Sequence, residues 1–258
     1  MNIGIYSPNW VGDAVMALKF IGQLRKKYAG DELIVIAKDW VADIYDNHPL
    51  INKVLPVPKN ELSGVFNTIK TGRGLQKLNL DIFFVLPESF RSAIIAWFSR
   101  SNVRIGFAGQ IRETFLTDRI NLPKETIHRS EKFIYLLQNG EKAQNFQHVG
   151  ITLRDQEKKW ADKILQENNV KDPIGLLIGS VAKSRSVPIG KWIEILKDKL
   201  ANDKQFVIIG EKRDAVKSQE IIAQVGHDKV ISFCGKHTLR ESIALISQCQ
   251  AVIAADSG

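Results

Sequence analysis

The sequence predicts an α/β protein built from two doubly wound units, each a parallel sheet with crossover helices. Short apolar runs recur along the whole chain, most of them closed by Gly, Pro or Asp. The stretches between them carry helical periodicity and are long enough for crossover helices, the βαβ signature. The pattern also starts afresh two-thirds of the way along, which predicts a second unit rather than one large sheet.

The runs fall at residues 3–6, 33–37, 54–57, 82–86 and 104–107, and then at 174–178, 206–209, 230–233 and 251–254. Helices are expected at about 13–28, 40–47, 62–77, 91–99, 129–138, 156–168, 189–201, 213–225 and 239–248. After the fifth run comes a strand-poor region that ends in a charged helix and Val170-Lys171-Asp172-Pro173. A strand–turn–helix unit then opens at Ile174 as cleanly as at Ile3, so the expected domains are 1–170 and 171–258. The second has four strand signals and stops at Asp256-Ser257-Gly258, where a doubly wound domain ordinarily turns into another helix. The expectation is a second domain truncated at its C-terminus.

Composition excludes several classes. With 44% hydrophobic and 25% charged residues, the chain has the balance of an ordinary globular protein. No apolar run approaches the roughly 18–20 residues that span a bilayer, and the polar start is unlike a signal peptide, so a cytoplasmic location is expected. The two cysteines, Cys234 and Cys249, fit buried thiols rather than a disulfide framework or a zinc site. The excess of 36 Lys and Arg over 28 Asp and Glu favours an anionic partner. These cations are scattered rather than gathered in an aromatic-interleaved stripe, which argues against nucleic acid.

Four turns carry the candidate chemistry. Ser7-Pro8-Asn9-Trp10-Val11-Gly12-Asp13 follows the first strand and opens the first helix, at the sheet edge where open α/β folds bind ligands. Gly12 allows close approach to the backbone. Asp13 fits either a helix cap or a general base, and spacing alone does not choose. Gly179-Ser180-Val181-Ala182-Lys183-Ser184-Arg185 combines small residues, hydroxyls and two cations ahead of a Pro188-initiated helix, which suits a diphosphate as well as a solvated loop. Gly210-Glu211-Lys212-Arg213-Asp214 places acids where ribose hydroxyls or a helix cap would use them. Ala255-Asp256-Ser257-Gly258 again follows a strand. There is no Walker A loop and no GxGxxG, which disfavours a nucleotide triphosphatase or a nicotinamide enzyme.

Together, Trp10-Val11-Gly12-Asp13-Ala14, the stretch from Val85 through Pro87-Glu88-Ser89-Phe90-Arg91 to Ala93, Arg104-Ile105-Gly106-Phe107 and the terminal Asp256-Ser257-Gly258 resemble the ADP-heptose:lipopolysaccharide heptosyltransferases of glycosyltransferase family 9. The likeness is closest to the heptosyltransferase II branch and runs from residue 1 to 258. It implies a GT-B fold of two Rossmann-like domains, the first binding the acceptor and the second the nucleotide sugar. It implies inverting transfer of heptose from ADP-heptose to an inner-core heptose of lipopolysaccharide, with no cofactor or metal, by a protein peripheral to the inner membrane. Position by position, Asp13 matches the general base, with Gly12, Arg91 and Arg104 as acceptor contacts. Ser180 and Arg185 match diphosphate contacts, with Lys183 two residues upstream placed to share that role; Asp214 matches a ribose-binding acid, His237 and Leu239 the adenine flank, and Asp256, Ser257 and Gly258 the start of the donor motif. Arg73, Arg91, Arg104 and Arg112 are candidates to guide the phosphorylated lipid A–core acceptor.

One departure bears on the donor. Ser184-Arg185-Ser186-Val187-Pro188 stands where the family has a lysine-bearing segment, so a planar fork replaces an ammonium. A family member with another nucleotide sugar, or a non-catalytic nucleotide-binding member, are the alternatives.

Overall fold

The computed structural model describes residues 1–109, 111–122, 124–137, 149–181, 183–197 and 204–255. It divides into two compact units, Met1–Thr152 and Leu153–Gly258.

The first unit is a six-stranded sheet in the order β3-β2-β1-β4-β5-β6. Its strands are β1 (Asn2–Tyr6), β2 (Glu32–Lys38), β3 (Lys53–Val57), β4 (Ile82–Val85), β5 (Val103–Phe107) and β6 (Asp118–Ile120), and every pairing is parallel. Helices α3 (Gly64–Gly74) and α4 (Phe90–Phe98) pack together, as do α1 (Val11–Lys27) and α5 (Arg129–Leu137), while α2 (Asp39–Ala42) is a single turn. Ile34, Ile36, Phe83 and Val85 share one buried cluster with Ile95 and Ala96 of α4. Phe20 of α1 meets Phe84 edge to face at 5.3 Å. Phe83 and Phe84 are neighbours in one strand, so these opposite partners follow from the period of two. Burying each such side chain contributes roughly 1.5–3 kcal/mol.

The second unit is a four-stranded parallel sheet, β10-β7-β8-β9, formed by β7 (Ile174–Leu177), β8 (Phe206–Ile208), β9 (Val230–Ser232) and β10 (Ala251–Ala254). Phe206 and Ile208 join the cluster under α7 (Ile189–Lys197) and α8 (Ala215–Val225). The alternate residues Val207 and Ile209 join the cluster under α6 (Asp155–Glu167) and α9 (Leu239–Ser247). One strand thus feeds two cores by simple alternation.

Two expectations are corrected. The units part at Thr152/Leu153 rather than near residue 170, because α6 turns Ala161 and Leu165 onto α9 and the second sheet. Its Glu157 also receives Arg240 of α9 at 2.8 Å (Nε to Oε1) and 2.5 Å (Nη2 to Oε2). Strand β6 was not expected, since Asp118-Arg119-Ile120 has no apolar run to mark it. Among the described residues it pairs only with β5, and an edge strand needs no apolar run.

Candidate active site

In an open parallel sheet the two strands flanking the reversal of strand order leave a crevice beyond their carboxyl ends. In the first unit those strands are β1 and β4. Asp13 follows β1 and Glu88 follows β4, so the topology alone brings two acids to one crevice.

Helix α1 starts at Val11, making Asp13 its third residue, and the N-cap Trp10 makes no side-chain cap bond. Asp13 shares the favourable field of a helix N-terminus, yet its carboxylate is committed elsewhere. Arg129, the first residue of α5, donates from Nη2 to Asp13 Oδ2 at 3.3 Å. The same guanidinium donates from Nη1 to Glu88 Oε1 at 3.1 Å, and Lys132 Nζ reaches that oxygen at 2.8 Å. Phe133 and Phe107 lie under these cations, 5.2 and 5.3 Å from the charged groups. The Asp13 side chain is 22% exposed, so it is partly desolvated and still reachable.

The turn bearing Glu88 is fixed from below. Arg112 is fully buried and donates from Nη1 to Pro87 O at 2.7 Å. Burial draws its pKa down to about 10, and the nearby Glu88 charge opposes that fall. Ser89 caps α4 by accepting from the Ser92 N–H at 3.3 Å. On the other flank Trp40 donates from Nε1 to Asn9 O at 3.1 Å, and Lys38 sits 4.8 Å over the Trp40 ring. Burial and the positive charge of Arg91 both pull the Lys38 pKa down. The crevice thus has two acids already engaged by cations, with further positive charge on its walls.

In the second unit the polar turns again gather at carboxyl ends of strands. Ser180 and the 3-10 turn Lys183–Arg185 follow β7; Arg185 is exposed. Asp214 follows β8, but its side chain lies beneath the edge, 5% exposed, with Oδ2 accepting from the Glu211 N–H at 3.0 Å. Gly179 and Gly210 permit this: a Cβ on either would stand 2.5 or 2.9 Å from that oxygen. His237 precedes α9, packed edge-on to Trp160 at 5.0 Å and tilted against Phe233 at 5.4 Å. Burial lowers its pKa, more than the Glu241 charge raises it. Thr238 and Glu241 form a reciprocal cap at the start of α9, where Leu239 is the first residue.

The structure therefore gathers Gly12, Asp13 and Arg91 at one edge of the first sheet, and Ser180, Arg185, His237 and Leu239 at the corresponding edge of the second. Arg104 is not among the first group: it lies at the start of β5, on the opposite edge. Asp214 is a buried cap, and the solvent-facing acid of its turn is Glu211, paired with Arg213 at 3.1 Å. Arg112 is too buried to meet a ligand at the surface. Asp256, Ser257, Gly258 and the Lys183 side chain lie outside the described residues. Sequence reasoning passed over Arg129, Lys132 and Trp160 and quoted Glu88 without a role. For Arg129 the available signal was a basic residue at a helix start, where cations are ordinarily unfavourable.

Comparison with known proteins bears on both units. The family model for glycosyltransferase family 9 (heptosyltransferase) matches residues 68–258. Lipooligosaccharide heptosyltransferase 2 of Haemophilus ducreyi is 26% identical over 279 aligned residues, covering 100% of this chain and 78% of that protein. The solved structure of Escherichia coli ADP-heptose lipopolysaccharide heptosyltransferase II superposes with a TM-score of 0.85 at 24% identity, over 100% of this chain and 80% of that one. A family 9 glycosyltransferase from Veillonella parvula gives a TM-score of 0.88 at 20% identity, over 99% of this chain and 75% of that one. The fold they share with this chain is the GT-B type, two Rossmann-like α/β units.

Proposed function

Because the chain belongs to glycosyltransferase family 9, we propose that it is an inverting heptosyltransferase that moves heptose from ADP-heptose to an inner-core heptose of lipopolysaccharide. The donor and acceptor classes are those in the names of its relatives. The observation that carries the reading to the residue level is Asp13: a partly buried carboxylate at the strand-order reversal, not used as a helix cap and bound through Oδ2 alone by Arg129.

In this reading the first unit takes the acceptor, with Gly12 allowing close approach and Arg91 meeting its negative charge. Asp13 accepts the proton of the acceptor hydroxyl as that oxygen attacks the anomeric carbon. The bond from that carbon to the diphosphate breaks with its electron pair leaving on ADP, so configuration inverts. Arg129 is a positioning residue: it orients Asp13 and is itself held by Glu88. The second unit takes the donor. Ser180, Lys183, Arg185 and the start of α7 offset the charge of the leaving diphosphate, which removes the need for a metal. His237 and Leu239 flank the base, and Asp256, Ser257 and Gly258 complete the donor contacts. Asp214 acts there through the turn it caps rather than by touching ribose.

Among the described residues no helix is long and apolar enough to cross a membrane. The protein is proposed to meet its lipid-linked acceptor from the cytoplasmic side, as a peripheral protein.

The test is a donor comparison with the full-length protein and a core lipid carrying one heptose. Transfer from ADP-heptose should exceed that from UDP- and GDP-sugars. Faster transfer from either of those would move the chain to another family 9 activity. Measurable ADP binding with no transfer would make it a non-catalytic member.

A further inference from the structure

The carboxyl edge of the first sheet does not hold its only cluster of cations. At the opposite edge a cleft of about 340 Å³ is lined by Arg73, Gln76, Trp97, Phe98, Arg100 and Arg104. We propose that this cleft binds a phosphate ester, separately from the transfer chemistry.

Three arginines from three places in the chain converge there, the end of α3, the residue just past α4's cap and the start of β5, and no carboxylate lines the cleft. Among the described residues the guanidinium groups of Arg73 and Arg100 have neither an ion-pair nor a hydrogen-bond partner. Arg104 is fixed in place: it donates from Nε to Phe115 O at 2.9 Å and from Nη1 to Ser101 O at 2.6 Å. Its guanidinium lies 5.2 Å over Trp97, and that of Arg73 lies 5.7 Å over Phe98. Burial alone depresses the Arg104 pKa, with no acid opposing it. An anion would relieve that cost, and planar guanidinium forks match phosphate oxygens geometrically.

Arg100 adds a second, independent sign. It sits at φ +58°, the left-handed region that favours Gly or Asn after a helix. Arginine there keeps a strained backbone that glycine would relieve, and what it provides in return is a third guanidinium in the cleft. Since all strands are parallel, the cleft lies about one strand length from Asp13, on the order of 15 Å along the sheet. It therefore serves neither Asp13 nor the proposed acceptor contacts Gly12 and Arg91.

Two sources could present this chemistry, a phospholipid headgroup or a soluble phosphate ester, and two arms separate them. In the first, the protein is sedimented with phosphatidylcholine vesicles containing phosphatidylglycerol. Beside it are run Arg73→Gln/Arg100→Gln, the charge-matched control Lys26→Gln/Lys171→Gln, and Arg100→Gly. In the second, inorganic phosphate is titrated while the Trp97 indole N–H signal is followed. Arg73→Gln/Arg100→Gln is expected to lose tenfold or more of its vesicle partitioning while the control loses less than threefold. Arg100→Gly is expected to melt at or above the parent temperature and still bind worse, which a purely structural role would not produce. Cleft-specific vesicle loss without a saturable phosphate shift assigns a headgroup. A saturable Trp97 shift, abolished in the double variant, with equal vesicle binding assigns a soluble ester. Equal vesicle losses in variant and control with no saturable shift would overturn the proposal. Asp13→Asn should leave all of these readings unchanged.

Discussion

The two units answer the same local sequence signal in opposite ways. Each places an acid where a strand hands over to a helix, Asp13 after β1 and Asp214 after β8. In the first unit the acid is bound through one oxygen by a guanidinium 116 residues away. In the second the acid turns inward and accepts from the backbone three residues earlier. An acid at such a turn is therefore not yet a site. What separates these two acids is whether the partner comes from a distant part of the chain or from the turn itself.

The contrast can be broken most severely in the second unit, where Asp214 and Glu157 are held within the fold. Glu157 accepts from the Arg240 fork through both carboxylate oxygens, and that fork is 9% exposed. Glu157→Ala should lower the stability of that unit by about 3–5 kcal/mol, since it strands a buried charge. Denaturant unfolding followed by circular dichroism would show this, and a loss within 1 kcal/mol would mean that the pair is solvent-screened.

A smaller effect is expected from the cation that holds the acid of the first unit. Arg129→Ala should reduce kcat up to roughly 10²-fold, because misplacing a reacting group by about 1 Å costs on that scale. KM for the donor should stay unchanged, and Arg129→Lys should restore part of the loss by returning the charge without the fork. A raised donor KM with unchanged kcat would remove Arg129 from the positioning role.

The smallest effect sharpens the comparison from the other side. Asp214→Ala should lower stability by about 1 kcal/mol, the usual worth of a cap. Affinity for ADP, measured by calorimetry, should change little. A large loss of affinity with unaltered melting would return Asp214 to direct contact with ribose.

Much of the fold was legible in the sequence because parallel strands buried on both faces read as plain apolar runs. Among the described residues nine of the ten strands carry such a run, and β6, as Asp118-Arg119-Ile120, does not. The domain boundary was misplaced because the apolar face of α6 does not state which sheet it will cover; the clamp from Arg240 to Glu157 decides that. Of the site, Asp13 was visible from its turn, whereas Arg129 was not, because only the packing of α5 on α1 brings the two together. Arg104 and Arg91 look alike in sequence, and only strand direction shows that they serve opposite edges.

The most direct test of the central claim is Asp13→Asn in the full-length protein, assayed for heptose transfer from ADP-heptose with donor binding and melting measured in parallel. Asparagine keeps the shape and one acceptor oxygen for Arg129 but cannot take a proton. The account predicts unchanged folding and ADP affinity with transfer reduced about 10²–10⁴-fold. Transfer at the parent rate would contradict it and leave Asp13 an ion-pair partner with no part in the chemistry.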